Sequence, residues 1–167
     1  MPTHGPGHLR GFDYLGLYRY FLTFCVDSRH QLFTSISPVN LVMTQFERCA
    51  ATEGFAIVAY CFMPDHVHFL VEAQADASDL RRFITRAKQL SGFYYAKAYG
   101  GRLWQRYGYE RVLRNDEATL GVIRYIVENP LRAGLVRRVE DYPFSGSAVY
   151  TVKEILDAVV WSPRTSG

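Results

Sequence analysis

The chain has 167 residues, of which 49% are hydrophobic and 15% aromatic, enough apolar material for the core of a single domain. No apolar run approaches the roughly 18 residues that a bilayer-spanning helix needs, so we expect no membrane association. None of the three cysteines belongs to a CxxC motif. We therefore expect a reduced cytoplasmic protein without a structural zinc site.

The charge of the chain is unevenly distributed, although the formal net charge is only +3. Residues 37–77 carry one basic and five acidic residues, a net charge of −4. Residues 78–114 carry nine basic and two acidic residues, a net charge of +7, with aromatic residues interleaved. This pattern suits a polyanion that also offers flat bases, such as nucleic acid. The alternative is a solvated helix face beside core aromatics.

Seven secondary-structure elements are predicted along the chain. Alternating aromatic and β-branched residues indicate strands, and apolar residues at helical spacing indicate helices. Ser37 and Ser78 are the predicted N-caps of the first two helices, with Pro38 at the first helical position. The elements are a strand at 18–26, a helix at 38–53, strands at 55–62 and 66–72, a helix at 79–99, a strand at 103–113, and a helix from Asp116 that Pro130 and Gly134 bound.

The order of these elements predicts the fold. The first six, β-α-β-β-α-β, match the split βαβ arrangement of ferredoxin-like α+β proteins, which is an antiparallel sheet with helices on one face. We assign the domain to residues 17–150. Residues 1–16 are predicted to be a flexible lead-in, and residues 151–167 a C-terminal tail.

Two of the five histidines, His66 and His68, lie two residues apart in the predicted strand 66–72. Because side chains alternate along a strand, both imidazoles project from one face, about 6.5–7 Å apart. Such a pair can converge on one divalent ion, with a third ligand from elsewhere. The alternative is that they are ordinary polar positions on the solvent face of a half-buried strand.

The last predicted helix carries two candidates for the rest of such a site. Tyr125 and Asn129 are four residues apart and so lie on one helical face. Asn129 can offer an amide oxygen to a metal, and Tyr125 a hydroxyl near it. The alternative is that Tyr125 is a boundary aromatic and that Asn129 caps the helix before Pro130.

Four sequence blocks occur together in this order: HVH at 66–68 after Met-Pro-Asp, Trp104 with YERVLRN at 109–115, YIVENPLRAGLV at 125–136, and YPFS at 142–145. Over about residues 14–150, this combination resembles the HUH single-strand transposases with one catalytic tyrosine, the insertion-sequence-200-like transposases. Within that group the blocks are most similar to the REP-associated tyrosine transposases.

The resemblance implies a function and a set of roles. His66 and His68 would bind a divalent ion, Mg²⁺ or Mn²⁺, and Asn129 would supply a third ligand. Tyr125 would be the nucleophile. The implied substrate is single-stranded DNA near a hairpin, as at REP palindromes, which is cut and rejoined through a 5′-phosphotyrosine intermediate.

Basic residues of the middle region are candidates for DNA contacts. Phosphate contacts position DNA without reading its sequence. For each residue, the alternative is a plain solubilising role. The candidates are Arg81, Arg82, Arg86, Lys88, Arg102, Arg106, Arg111 and Arg114.

Two other functions compete with this prediction. One is a metal-dependent hydrolase that activates a water, without a covalent intermediate. The other is a HUH domain that binds hairpin DNA without cutting it. We expect a monomer, and a homodimer is the alternative.

Overall fold

The structure, a computed structural model, describes residues 18–113 and 116–161, without the side chains of 116–118 and 158–161. The predicted lead-in 1–16, the candidate Arg114 and the end of the predicted tail, 162–167, lie outside the described residues. The elements are β1 Arg19–Cys25, α1 Ile36–Glu53, β2 Phe55–Met63, β3 His66–Ala73, α2 Leu80–Tyr99, β4 Tyr109–Leu113, α3 Asp116–Val127, α4 Asn129–Arg132, β5 Ser145–Gly146 and α5 Val152–Trp161.

The strands form one antiparallel sheet in the order β4-β1-β3-β2-β5. The first four strands, with α1 and α2 between them, follow the β-α-β-β-α-β path. The predicted α+β, ferredoxin-like fold is therefore confirmed. Within the described ranges, no helix combines the length and the apolar character that crossing a membrane requires.

One face of the sheet packs against α1 and α2. Tyr20, Leu22 and Phe24 alternate along β1 toward these helices and are buried. Phe46 of α1 stacks on Phe69 of β3, with ring centroids 4.5 Å apart. Burial of such large rings supplies most of the free energy that fixes these two helices on the sheet.

The opposite face of the sheet is covered by α3 and α5. Phe21 and Leu70 project from this face, and they share an apolar cluster with Ile126 of α3 and Ile155 of α5. The two helices of the split βαβ unit thus share one face, as predicted, and the later helices add a second layer. Part of the predicted tail 151–167 forms α5, because its buried Ile155 anchors it on the sheet.

Two predicted helix starts are corrected by the structure. Ser35, not Ser37, is the N-cap of α1, because the chain is extended at Ser35 (φ −142°, ψ 165°) and helical from the next residue. Asp79, not Ser78, caps α2, because its carboxylate accepts a hydrogen bond from the Arg82 amide at 3.2 Å. The Ser78 hydroxyl instead donates to the Gly54 carbonyl at 2.7 Å.

The predicted strand 103–113 is also corrected, since β4 begins only at Tyr109. Trp104 forms a single bridge with Val26. Its indole nitrogen donates to the Ser91 hydroxyl of α2 at 2.9 Å. After Gln105, whose amide still donates to the Cys25 carbonyl at 2.9 Å, the chain leaves the β1 edge, and regular pairing resumes only at Tyr109.

Two glycines give a matched stability test. A Cβ at Gly108 would lie 2.6 Å from Cδ1 of Phe24 and 2.8 Å from the Thr23 carbonyl oxygen, whereas one at Gly92 would meet nothing within 4 Å. We expect Gly108→Ala to lower the free energy of unfolding by about 1–3 kcal/mol through overpacking. Gly92→Ala, inside α2, should raise it by about 0.5–1 kcal/mol. Urea denaturation measures both, and equal midpoints for the two variants would contradict this packing.

Candidate functional site

His66 and His68 lie at the start of β3 and project from the sheet face that α3 covers. Their ring centroids are 4.8 Å apart, with an interplanar angle of 79°. The intervening Val67 is fully buried on the other face. The period-two alternation of the strand therefore places both imidazoles together, as predicted.

His68 is the more deeply buried of the two histidines, at 5% exposure. Its Nδ1 is 2.7 Å from the Thr23 hydroxyl of the neighbouring strand, and its ring stacks on Phe21 at 5.4 Å. Burial, assisted by the nearby charges of His66 and Arg132, lowers the pKa of His68 to about 3. The ring is therefore neutral at neutral pH, which is the state that binds metals.

His66 is held by a carboxylate. Its Nδ1 lies 2.7 Å from Oδ1 of Asp65, and the other oxygen of Asp65 accepts a bond from Nε of Arg29 at 2.9 Å. Burial alone would raise the pKa of Asp65, but the bonds to His66 and Arg29 outweigh it and lower that pKa. A carboxylate behind a histidine fixes the ring and makes its other nitrogen a better ligand.

The turn that carries Arg29 is tied to the β2–β3 turn. Arg29 and Ser28 both have left-handed backbone conformations, with φ of 54°, which are uncommon for residues other than glycine. The Val26 amide donates to the Asp65 carbonyl at 2.9 Å, and the Phe33 amide donates to the Pro64 carbonyl at 3.0 Å. The guanidinium is thereby set against Asp65 at the edge of the histidine pair.

Tyr125 projects from α3 toward the histidines. Its ring contacts His68 edge-on at a centroid distance of 5.7 Å, and Phe21 at 5.9 Å. The side chain is 48% exposed, so a large substrate can reach the hydroxyl. The guanidinium carbon of Arg132 lies 4.3 Å from the centroid of the same ring. The structure thus brings His66, His68 and Tyr125 together.

Asn129 opens α4, one turn beyond Tyr125, and is half-buried. In the part of the chain that the structure describes, no hydrogen bond joins its amide to either histidine, so its role as a ligand stays a prediction. Among the described residues there is also no cluster of three His, Cys, Asp or Glu side chains that could hold a metal. A metal on the histidine pair would need a ligand of another type, and an amide oxygen is such a ligand.

The residues fit a divalent ion in one further respect. The Nδ1 atoms of both histidines are engaged, by Asp65 and by Thr23. This leaves Nε2 of each ring to face an ion, the arrangement in which outer hydrogen bonds orient metal-binding histidines. With only two imidazoles, the remaining coordination positions stay open to substrate, which is typical of catalytic rather than structural sites.

Three of the predicted DNA-contacting residues gather on the other face of the sheet. Arg81, Lys88 and Arg106 line a cavity of about 360 Å³ between α2 and the start of β4. The Lys88 ammonium donates to the carbonyls of Gln105 and Arg106 at 3.1 and 3.2 Å. Burial, with the nearby charge of Arg102, lowers the pKa of Lys88. Lys88 thus also holds the loop that precedes β4.

Arg102 lies near this group, since it lines a second cavity together with Lys88 and Arg106, whereas the other basic candidates are dispersed. Arg82 and Arg86 lie 4.0 and 3.6 Å from the carboxylate of Glu53, and Arg102 donates to the Trp104 carbonyl at 2.9 Å. Arg111 pairs with Phe21 across the β1–β4 ladder and is exposed, so it shares the sheet face of the histidines. A charge count along the sequence could not separate these positions.

Two functional candidates, Arg29 and Arg132, were missed by the sequence analysis. Arg29 lies in a short turn whose sequence carries no pattern, and only the contact with Asp65 identifies it. Arg132 belongs to the block 125–136, and its place within that block was the one available indication. Both side chains join the site through contacts between residues from separate elements.

Comparison with known proteins gives a consistent set of relatives. A family profile described as "Transposase IS200 like" matches residues 15–129. A Haemophilus influenzae protein named as a REP-associated tyrosine transposase is 27% identical over 137 residues, which cover 75% of this chain and 77% of the relative. The REP-associated tyrosine transposase of Escherichia coli K12 is 28% identical over 91 residues, 54% of this chain and 53% of that protein.

Solved structures have the same fold. A REP-associated tyrosine transposase bound to a REP hairpin superimposes with a TM-score of 0.70 at 24% identity, covering 83% of this chain and 81% of that one. A Deinococcus radiodurans protein described as a transposase superimposes with a TM-score of 0.51 at 27% identity, covering 74% of this chain and 96% of that one. The first likeness, at its low identity, concerns the fold alone.

Proposed function

The chain belongs to the IS200-like transposase family, and we propose that it cuts and rejoins single-stranded DNA beside a hairpin, with Tyr125 as the nucleophile. The observation that carries this proposal is the contact of the Tyr125 ring with His68, at 5.7 Å, next to the paired ring of His66. A hydroxyl on an exposed side chain beside two imidazoles is suited to nucleophilic attack near a metal.

The proposed cofactor is Mg²⁺ or Mn²⁺, held by Nε2 of His66 and of His68, with Asn129 as a third ligand. Such an ion, when bound, supplies positive charge that stabilises the charge developing on a scissile phosphate. Imidazole ligands favour Mn²⁺ over Mg²⁺, so we expect Mn²⁺ to support the reaction at least as well as Mg²⁺.

The proposed step conserves the phosphodiester bond energy. The Tyr125 hydroxyl oxygen attacks the phosphorus and forms a phosphotyrosine ester, while the bond from phosphorus to the 3′ oxygen breaks. The phenolic proton is lost to the surroundings, and the departing 3′ oxygen gains a proton. Attack by a 3′-OH on the phosphotyrosine reverses the step and joins strands, so no nucleotide triphosphate is needed.

The proposed partner is hairpin DNA with an unpaired flank. The relatives are named for REP association, and one was solved with a REP hairpin. In this chain Arg111 offers a cation on the histidine face, and Arg81 and Arg106 offer two on the other face. A DNA strand that contacts Arg111 on one face and Arg81 and Arg106 on the other would have to cross the edge of the sheet at β4.

The direct test uses labelled single-stranded hairpin DNA from the genomic flanks of the gene, with Mn²⁺, on a denaturing gel. We expect a protein–DNA adduct that survives denaturation, together with a fragment ending in a 3′-OH. Cleavage without an adduct would indicate the water-activating hydrolase. A shift on a native gel without any cleavage would indicate a domain that only binds hairpins.

Asp65 gives a prediction about the metal. Asp65→Asn should weaken Mn²⁺ binding about 10- to 100-fold, because the carboxylate that orients His66 is lost. Titration of the metal-free protein with Mn²⁺, followed by electron paramagnetic resonance, measures this affinity. Asp27→Asn in the neighbouring turn is the control and should bind as the wild type does. If the wild type and both variants bind Mn²⁺ with equal affinity, Asp65 has no role in metal binding.

Arg111 gives a prediction about DNA. The logarithm of the association constant for DNA falls linearly with the logarithm of the salt concentration. Arg111→Gln should make this dependence less steep by about 0.7, because one phosphate contact to single-stranded DNA is lost. Fluorescence anisotropy with a hairpin probe at four salt concentrations measures the slope. Arg86→Gln, whose guanidinium faces Glu53 at 3.6 Å, is the control. A slope that changes only in this control would place the DNA elsewhere.

A further inference from the structure

Arg132 touches the proposed nucleophile at two points. Its guanidinium carbon lies 4.3 Å from the centroid of the Tyr125 ring, and its Nη2 donates to the Tyr125 backbone carbonyl at 2.5 Å. One side chain therefore contacts both the ring and the backbone of the same residue. Within the motif block 125–136 it has so far had no role.

The backbone contact occurs next to the break between α3 and α4. Helix α3 ends at Val127, and α4 begins at Asn129 with Pro130 in its first turn. Carbonyls in the last turn of a helix lack amide partners from a following turn. An arginine donor at this end satisfies such a carbonyl and opposes the negative end of the helix dipole. Arg132 thus fastens the junction between the two helices at Tyr125.

The ring contact restricts a side chain that has few other restraints. Tyr125 is 48% exposed. On its sheet side the ring meets Phe21 and His68, both edge-on, at 5.9 and 5.7 Å. On another side it meets the guanidinium, which is planar and stacks well on aromatic faces. The ring is therefore held between the sheet and Arg132, beside the histidines.

We infer that Arg132 is a positioning residue for Tyr125, which keeps the phenol directed at the histidine pair before DNA binds. This inference rests on the proposed function, because it assigns the nucleophile's orientation to a second side chain. The guanidinium can make both contacts because it is planar and carries several N–H donors in fixed positions. A lysine ammonium at the same place would make at most one of them.

The test compares Arg132→Gln and Arg132→Lys with Arg138→Gln. Arg138 is a matched control, since it is 70% exposed and paired with Glu140 at 3.4 Å. We expect both Arg132 variants to form the adduct about 10- to 100-fold more slowly in single-turnover experiments, because the nucleophile is misplaced. Their affinity for the hairpin should change less than about threefold, because the loss lies in the chemical step. The control should react as the wild type does.

A second readout does not depend on activity. With 3-fluorotyrosine incorporated at position 125, the ¹⁹F resonance of the metal-free, DNA-free protein reports the ring's environment. It should shift and narrow in both Arg132 variants and stay unchanged in the control. If the wild type forms no adduct, the proposed function fails, while this comparison still decides whether Arg132 holds the ring. A wild-type rate in Arg132→Lys, or an unchanged ¹⁹F resonance in Arg132→Gln, would overturn the inference.

Discussion

Replacing Tyr125 by Phe is expected to abolish the protein–DNA adduct and to lower single-turnover cleavage more than about 10³-fold, as loss of a catalytic nucleophile does. The phenyl ring keeps the contacts with Phe21 and Arg132, since these involve the ring and the backbone carbonyl rather than the hydroxyl. Thermal unfolding and hairpin affinity should therefore match the wild type, and only the covalent step should be lost.

Tyr109→Phe is the matched control for this experiment. Tyr109 is 44% exposed and its ring lies 6.0 Å from that of Phe21, so it occupies the same face at the edge strand. We expect its variant to form the adduct at the wild-type rate. If Tyr125→Phe still cuts while Tyr109→Phe does not, the nucleophile has been assigned to the wrong tyrosine. If both variants cut without an adduct, the reaction uses water.

Replacing His66 and His68 together by Ala is expected to remove Mn²⁺ binding and to lower adduct formation more than about 10³-fold, since charge stabilisation by a metal contributes several kcal/mol. The double variant should also lose about 1–3 kcal/mol of unfolding free energy, because His68 is buried and its partner Thr23 loses a hydrogen bond. Calorimetric metal titration, a denaturing gel and urea denaturation measure these three effects.

His30→Ala is the control for the histidine variants. His30 is exposed in the loop after β1, so its loss should leave metal binding, adduct formation and stability unchanged. His66→Ala alone then separates metal loss from instability, because His66 is the less buried ring and leaves the Thr23–His68 bond in place. Adduct formation at the wild-type rate in His66→Ala would contradict a metal role for the pair.

Local patterns in the sequence were sufficient for the fold and for part of the site. The period-two alternation of β3 placed both histidines on one face, and the 3.6-residue period of α3 directed Ile123 and Ile126 into the core. These features depend on neighbouring residues along one chain segment, and the order of the segments then favours the split βαβ arrangement. The four motif blocks identified the protein family, which neither composition nor periodicity could indicate.

Helix starts and strand edges were less predictable. Ser35 and Asp79 cap the helices in place of Ser37 and Ser78, although all four are residue types that commonly occupy the N-cap position. The choice depends on which residue the surrounding packing leaves extended, as the bond from Ser78 to the Gly54 carbonyl illustrates. Trp104 keeps a bridge to Val26, and the chain leaves the β1 edge only beyond it, where Lys88 of α2 binds the carbonyls of Gln105 and Arg106.

The sequence by itself determined which side chains could take part in the chemistry. Residue type and the side on which a residue lies within a strand or helix can both be inferred from a short segment of the chain. Only the tertiary structure decided which of them meet. Thr23 behind His68 and Arg29 behind Asp65 are contacts between residues 45 and 36 positions apart. Arg132 meets Tyr125 across the break between α3 and α4. The same packing divided the basic residues between two faces of the sheet. The physical reason is that long-range contacts depend on how whole faces pack together, and no local period encodes that packing.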